Sequence, residues 1–295
     1  MGLATTASAA TGMSAAAAAQ PRTAAATPAT TITGVVRADK TSALDSRTSK
    51  KITVKCPAGK DVINASGSIA FGSGKVVIDQ VFPHSDLKKV TVTGKETDPY
   101  SGVWTVTAIA TCADPPPGLT LKTSLGTDNA SSPKTTAVGC TGNQTMLGSG
   151  FDIIGGQGEV GAYSMVPELD GAGRATSMDV SAVETDPLPP AATWHVNAFA
   201  FCADGTYPEQ VISASETTTN AASAGFTVYC PAGSVATGTG YDVPDAIGEI
   251  IVNSIDPGGS TLVPTDQTAL AIFQEDGPLS TTLYTPRAYV ICANR

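Results

Sequence analysis

The chain has 295 residues, of which 41% are apolar, 15% charged and 5% aromatic, with a formal net charge of −9. An acidic surface repels phosphate backbones and anionic lipid, which argues against nucleic acid and membrane surfaces as partners. No run approaches the roughly 18 to 20 apolar residues that span a bilayer as a helix.

In chain order, residues 1–30 form an Ala/Thr-rich leader with small-residue sites around Ala15 to Ala19. It reads as the remnant of a secretory signal followed by a disordered arm. Beyond it the chain repeats. Cys112, Cys202 and Cys292 recur with a period of 90 residues and each is followed by alanine, while Cys56, Cys140 and Cys230 precede them. A glycine stands 18 residues after each of these first cysteines (Gly74, Gly158, Gly248), and a proline 27 residues after (Pro83, Pro167, Pro257). An aromatic residue stands eight before each second cysteine: Trp104, Trp194 and Tyr284. Such self-similarity divides the chain into units 31–115, 117–205 and 208–295.

Within the first unit, Val, Ile and Thr enrichment between turn signals predicts six strands at 31–36, 51–56, 62–71, 75–82, 89–95 and 103–112. No segment carries a helical apolar period. The fold class is therefore all-β: three tandem antiparallel sandwich- or barrel-like repeats of about six strands. The Pro/Gly/Ser-rich connectors permit either beads on a string or a pseudo-threefold ring.

Pairing Cys56 with Cys112, Cys140 with Cys202 and Cys230 with Cys292 treats the copies alike and closes loops of 56, 62 and 62 residues. Each bridge is worth up to about 4 kcal/mol by chain entropy, a useful staple for units of this size. A zinc site would need closely spaced cysteine pairs, and none is present. Three disulfides suit an extracellular or cell-surface location.

Strand periodicity places Trp104 on one face with Val106, Ala108, Ala110 and Cys112, and Trp194 and Tyr284 on the matching faces of their strands. This is the inner face of a stapled sandwich, so each aromatic is expected in the core rather than as a ligand platform. The opposite faces diverge, with Ile109, Phe199, Phe201 and Ile291 suggesting contact with another sheet or unit. "GSG" at 148–150 and "GTG" at 238–240 read as bulges or tight turns, not phosphate cradles.

Chemistry is sparse. His84 and His195 do not recur between units and sit in no nucleophile or metal-ligand motif. The polar feature that repeats is acidic: Glu96 and Asp98, Glu184 and Asp186, Glu275 and Asp276, each pair in a Pro-containing turn before the aromatic strand. Such carboxylates are candidate ligands for sugar hydroxyls or for Ca²⁺, and otherwise serve the turn. No resident cofactor or metal is expected.

The pattern resembles tandem repeats in secreted proteins of high-GC Gram-positive bacteria, which run Cys-Pro-x-Gly, a glycine-rich turn, then an aromatic strand closing on Cys-Ala. The resemblance covers residues 50–113, 135–203 and 225–293; the middle unit departs with Thr141-Gly142-Asn143, and the third has Tyr284 in place of Trp. It implies no catalytic role. The expectation is a secreted, non-catalytic binding protein, lectin-like toward extracellular polysaccharide. A structural spacer or coat at the cell surface is the alternative, and a hydrolase centred on His195 a third reading.

Overall fold

The computed structural model describes residues 30–205, 207, 210–213, 218–219, 221–257, 268–275 and 283–295. It is all-β, with no helix among the described residues. Unit 1 supplies β1 (Val36–Thr41), β2 (Ser49–Lys55), β3 (Asp61–Ala70), β4 (Val76–Pro83), β5 (Lys89–Glu96) and β6 (Thr105–Ala113). Unit 2 supplies β7 (Thr120–Ser124), β8 (Lys134–Gly139), β9 (Gln144–Ile154), β10 (Val160–Leu169), β11 (Ala175–Glu184) and β12 (His195–Asp204). Unit 3 supplies β13 (Gln210–Ser213), β14 (Ser223–Tyr229), β15 (Ser234–Asp242), β16 (Ile250–Pro257), β17 (Thr268–Glu275) and β18 (Arg287–Asn294).

Each unit divides its strands between two antiparallel layers, the first, sixth and third in one and the second, fifth and fourth in the other. The inner face of β6 (Val106, Ala108, Ala110, Cys112) is fully buried between them, as are Trp104, Trp194 and Tyr284. Small residues late in β6 let the layers approach, and the disulfides Cys56–Cys112, Cys140–Cys202 and Cys230–Cys292 join one layer to the other. Their Cα separations of 5.7, 5.5 and 5.7 Å lie in the usual range for a bridge.

The units are not separate sandwiches. Every layer continues into a layer of a neighbouring unit, giving three six-stranded sheets of order β1-β6-β3-β16-β17-β14, β2-β5-β4-β9-β12-β7 and β13-β18-β15-β10-β11-β8. At each seam the third strand of one unit pairs with the fourth strand of another: Val81 with Phe151, Met165 with Tyr241, and Ile255 with Gly67. Unit 3 thus returns to unit 1, and the ring closes with pseudo-threefold symmetry.

Bulges recur at matching places. In the third strands they fall at Ile63, Leu147 and Thr237, and in the fourth at Asp79, Tyr163 and Asn253. A bulge turns the strand and strengthens its twist, which lets one strand serve both a sandwich and a seam. The third strands of all three units also touch one another, as do the fourth. Where the third strands converge, Ile63, Leu147 and Val235 join Ala113, Ala203 and Ala293 in a second, smaller core.

Ile32 belongs to this second core, which corrects the prediction of a first strand at 31–36. β1 runs instead over Val36–Thr41, an edge strand carrying Arg37, Asp39 and Lys40. Charge on an edge discourages further pairing. The apolar pattern of 31–36 reflects a cap: Ile32 N–H donates to Asn294 O at 2.9 Å, tying unit 1 to unit 3.

"GSG" and "GTG" lie inside β9 and β15 rather than at turns. A Cβ on Gly150 would stand 2.6 Å from Val81 O of unit 1, and one on Gly238 would stand 2.6 Å from Leu147 O of unit 2. Glycine is needed there for close backbone approach between units. Unit 1 has Asn64 in place of Gly148 and Gly238; its buried side chain accepts from Ser149 N–H at 3.0 Å and donates to Ser66 Oγ at 2.8 Å. Gly150→Ala and Gly238→Ala are each expected to lose about 1–3 kcal/mol in urea unfolding through overpacking, whereas Gly171→Ala, with open space around its Cβ site, leaves stability unchanged.

The seams also hold buried and half-buried acids. Asp152 accepts from Gln80 Nε2 at 2.8 Å across one seam, Asp242 stands 4.0 Å from Arg287 at the second, and Asp256 pairs with Arg37 at 2.5 Å across the third. Burial raises the pKa of Asp152 and Asp242, and that of Asp79, which pairs with Lys95 at 3.0 Å. Asp256 is pushed from 3.8 up to about 6 by burial, Arg37 opposing the rise and the nearby Asp39 adding to it. A carboxyl whose folded pKa exceeds its unfolded value stabilises the fold below the unfolded pKa, and that stability is lost as pH rises through the folded pKa. Asp256 is therefore expected to lower the melting temperature as pH rises between about pH 4 and about pH 6, in the opposite sense to His84, whose depressed pKa adds stability as pH rises toward its ordinary value. Asp256→Asn should flatten part of that slope; an unchanged profile would exclude Asp256 as a contributor.

Candidate functional site

The aromatic at the head of each last strand organises its surroundings. Trp104 Nε1–H donates to Glu96 Oε1 at 3.1 Å, and Trp194 Nε1–H to Glu184 Oε1 at 2.8 Å. A buried indole N–H requires an acceptor, and the first acid of the turn supplies it in units 1 and 2. Over the other side of each ring lies a lysine from the second strand of the unit: Lys50 Nζ stands 4.4 Å from the Trp104 ring centroid and Lys134 Nζ 4.2 Å from that of Trp194. These are cation–π distances.

The ammonium groups are further held by backbone carbonyls. Lys50 donates to Asp45 O at 2.7 Å, to Ala43 O at 3.2 Å and to Trp104 O, and pairs with Asp45 Oδ1 at 2.9 Å. Lys134 donates to Asn129 O at 2.6 Å and to Trp194 O, with Thr127 O at 3.5 Å. Desolvation lowers the Lys134 pKa, while Asp128 and Glu184 oppose that shift. The acceptors are presented by bridges that recur in all three units, Asp45 with Trp104, Asn129 with Trp194 and Thr219 with Tyr284.

Unit 3 lacks both the lysine and the indole of this arrangement. Ala224 stands where Lys50 and Lys134 stand in the other units, and Tyr284 replaces Trp, its hydroxyl donating to Ala221 O at 2.6 Å. Lysine and indole change together because each lies against the other. Lys50 and Lys134 were legible as a recurrence six residues before the first cysteines, but their partner across the unit was not.

The predicted acidic residues separate in space. Glu96 and Glu184 are bound to the core indoles, whereas Asp98 pairs with Lys75 at 2.7 Å near the surface. Asp186 is partly exposed, Glu275 ends β17, and Asp276 lies outside the described residues. Among the described residues no group of three or more His, Cys, Asp or Glu side chains is placed to share a cation. His84 Nε2 lies 2.8 Å from Thr91 Oγ1, and burial lowers its pKa. His195 Nδ1 stands 3.5 Å from the exposed carboxylate of Asp128, which also accepts from Thr193 Oγ1 at 3.1 Å.

Two cavities open beside the lysines, and they are the same cavity twice. One of 200 Å³ is lined by Ala43, Asp45, Arg47, Ser49, Lys50 and Lys51, with Ser42 and Ile52. The other, of 190 Å³, is lined by Thr127, Asn129, Ser131, Pro133, Lys134, Thr135 and Thr136. Each lies along an edge strand, β2 or β8, where backbone groups are free of sheet pairing on one side. Both fall below the usual size of a drug-sized ligand site and are lined mainly by hydroxyl, amide and charged groups, which suits one small polar moiety. A third cavity, of 340 Å³, lies at the unit 1–unit 3 junction among Ile32, Thr33, Val35, Val235 and Arg295.

Lys134→Met would remove the ammonium from the carbonyls of Asn129 and Trp194, which keep only their mutual backbone bridge, and from the Trp194 ring. A hydrogen bond from a charged donor contributes about 1.5–3 kcal/mol, so this variant should unfold at lower urea, with a loss of roughly that size.

Compared with protein-family models and with curated proteins, the chain matches none. Its function must therefore be read from the site rather than from kinship.

Proposed function

We propose that the protein is a secreted, non-catalytic binding protein that recognises hydroxyl-rich residues of extracellular polysaccharide through the paired pockets beside Lys50 and Lys134. The observation that carries this reading is the recurrence of one small polar pocket at matching residues of two units. Sugar hydroxyls need donors and acceptors held in place, and Ser, Thr and Asn side chains beside a fixed ammonium supply both. The tryptophans are fully buried and offer no stacking face, so recognition rests on hydrogen bonds. Each pocket alone binds weakly, and two on one rigid ring gain from a polymeric ligand. Three disulfides fit an oxidising location.

A structural spacer or coat at the cell surface is the second reading. It draws on the closed ring and on the use of Glu96 and Glu184 to hold core indoles. The hydrolase reading has only the His195–Asp128 contact in its favour.

The oxidised protein is to be tested on a glycan array and on insoluble cell-wall polysaccharides, with calcium and with chelator. Saturable binding that survives chelation and weakens at least fivefold in Asn129→Ala is expected. No binding in either condition would remove the carbohydrate reading and leave the structural one.

A further inference from the structure

The two pockets share their position and their lysine but differ in charge. At matching places unit 1 has Asp45, Arg47 and Lys51 where unit 2 has Asn129, Ser131 and Thr135. In unit 1 the Lys50 charge is answered by Asp45 at 2.9 Å. Hydrogen bonds from Lys50 and from the Arg47 backbone N–H hold that carboxyl below its ordinary range, so it remains an anion.

Arg47 and Lys51 then add two further cations to the lining of this pocket, Lys51 also acting on Asp79 and Asp152, on a chain whose net charge is −9. Arg47 Nε does lie 3.7 Å from Asp45 Oδ2, but its side chain is 79% exposed. An exposed contact of that length, to a carboxylate already engaged by Lys50, holds the guanidinium only weakly. It is free to turn toward a ligand, and a guanidinium fork suits the paired oxygens of a carboxylate or phosphate. Unit 2 brings hydroxyls to the same positions and no cation besides the half-buried Lys134.

We infer that the pockets divide the ligand between them: the unit 1 pocket takes an anionic sugar residue and the unit 2 pocket a neutral one. The inference rests on the binding reading above and adds to it the class of residue taken by each unit. The pair would thereby select polysaccharides that carry negatively charged residues among neutral ones, and the attraction would be screened by salt.

Calorimetry on the full oxidised chain tests this with four probes: tetragalacturonate, its methyl ester, maltotetraose and 6-phosphomaltotetraose. The charged member of at least one pair should bind at least fivefold tighter than its uncharged counterpart at low salt, and the advantage should shrink at 0.5 M salt. The pair with the larger gain identifies carboxylate or phosphate as the group recognised. Arg47→Ser with Lys51→Thr, which copies unit 2 into unit 1, should abolish the advantage without lowering the melting temperature. Ser131→Arg with Thr135→Lys should increase it. Equal binding of charged and uncharged probes would overturn the division while leaving carbohydrate binding intact. Absence of binding to all four probes, together with a blank glycan array, would overturn both.

Discussion

The fold depends on one close approach: the backbone of the third strand of each unit against a neighbouring unit. A layer of three strands has two edges, and an isolated sandwich of about 85 residues would leave them open while burying only a modest core. Pairing third strand to fourth at each seam removes half of those edges and lets three small cores support one another. The approach is possible because Gly148, Gly150 and Gly238 carry no side chain, and because Asn64 replaces a glycine with a hydrogen-bonded link. The disulfides act at a different level, fastening the layers within a unit. They make each unit durable, but the ring depends on the seams.

Each seam also has its own chemistry. Phe82 meets Phe199 edge-on at 5.3 Å between units 1 and 2, whereas Arg37 meets Asp256 between units 1 and 3. A ring of identical copies could exchange partners with another chain or close in the wrong order. Distinct seams favour one closure, because mismatching them would bury a charge against an aromatic ring. The acids kept at the seams are held partly against their ordinary ionisation, so the junctions are also where protonation and stability meet.

The aromatic sites show how one structural device was kept in two units and altered in the third. Tryptophan, lysine and glutamate form a unit of mutual satisfaction: the indole needs an acceptor, the ammonium needs carbonyls and a ring, and the loop carrying Asp45 or Asn129 is fixed by both. Tyrosine reaches a carbonyl with its own hydroxyl, and Ala224 stands in place of the lysine. Side chains around the lysine have diverged where they face solvent, and those are the residues that line the pockets.

Much of this was legible in the residues. Repeated cysteine spacing sufficed for the disulfide pairing, because identical copies must be stapled alike, and Val, Ile and Thr enrichment between turn signals sufficed for six strands in the first unit. Alternation along 104–112 placed Trp104 inside, because strand geometry fixes which residues share a face. Strand position failed at 31–36, where apolar residues serve a cap and not a sheet. The "GSG" and "GTG" segments do adjoin bulges, at Leu147 and Thr237, but their closeness to neighbouring units could not be read from local pattern, since the atoms their missing side chains would strike belong to other units. Likewise the acidic turns looked like paired ligands, yet Glu96 turns inward to an indole while Asp98 meets Lys75 near the surface. The sequence by itself thus determined what each unit is made of, through periodicities that act over a few residues. Only the tertiary structure decided that the units close into a ring, that Glu96 and Glu184 serve the core, and that two pockets open beside Lys50 and Lys134, because each depends on contacts between residues far apart in the chain.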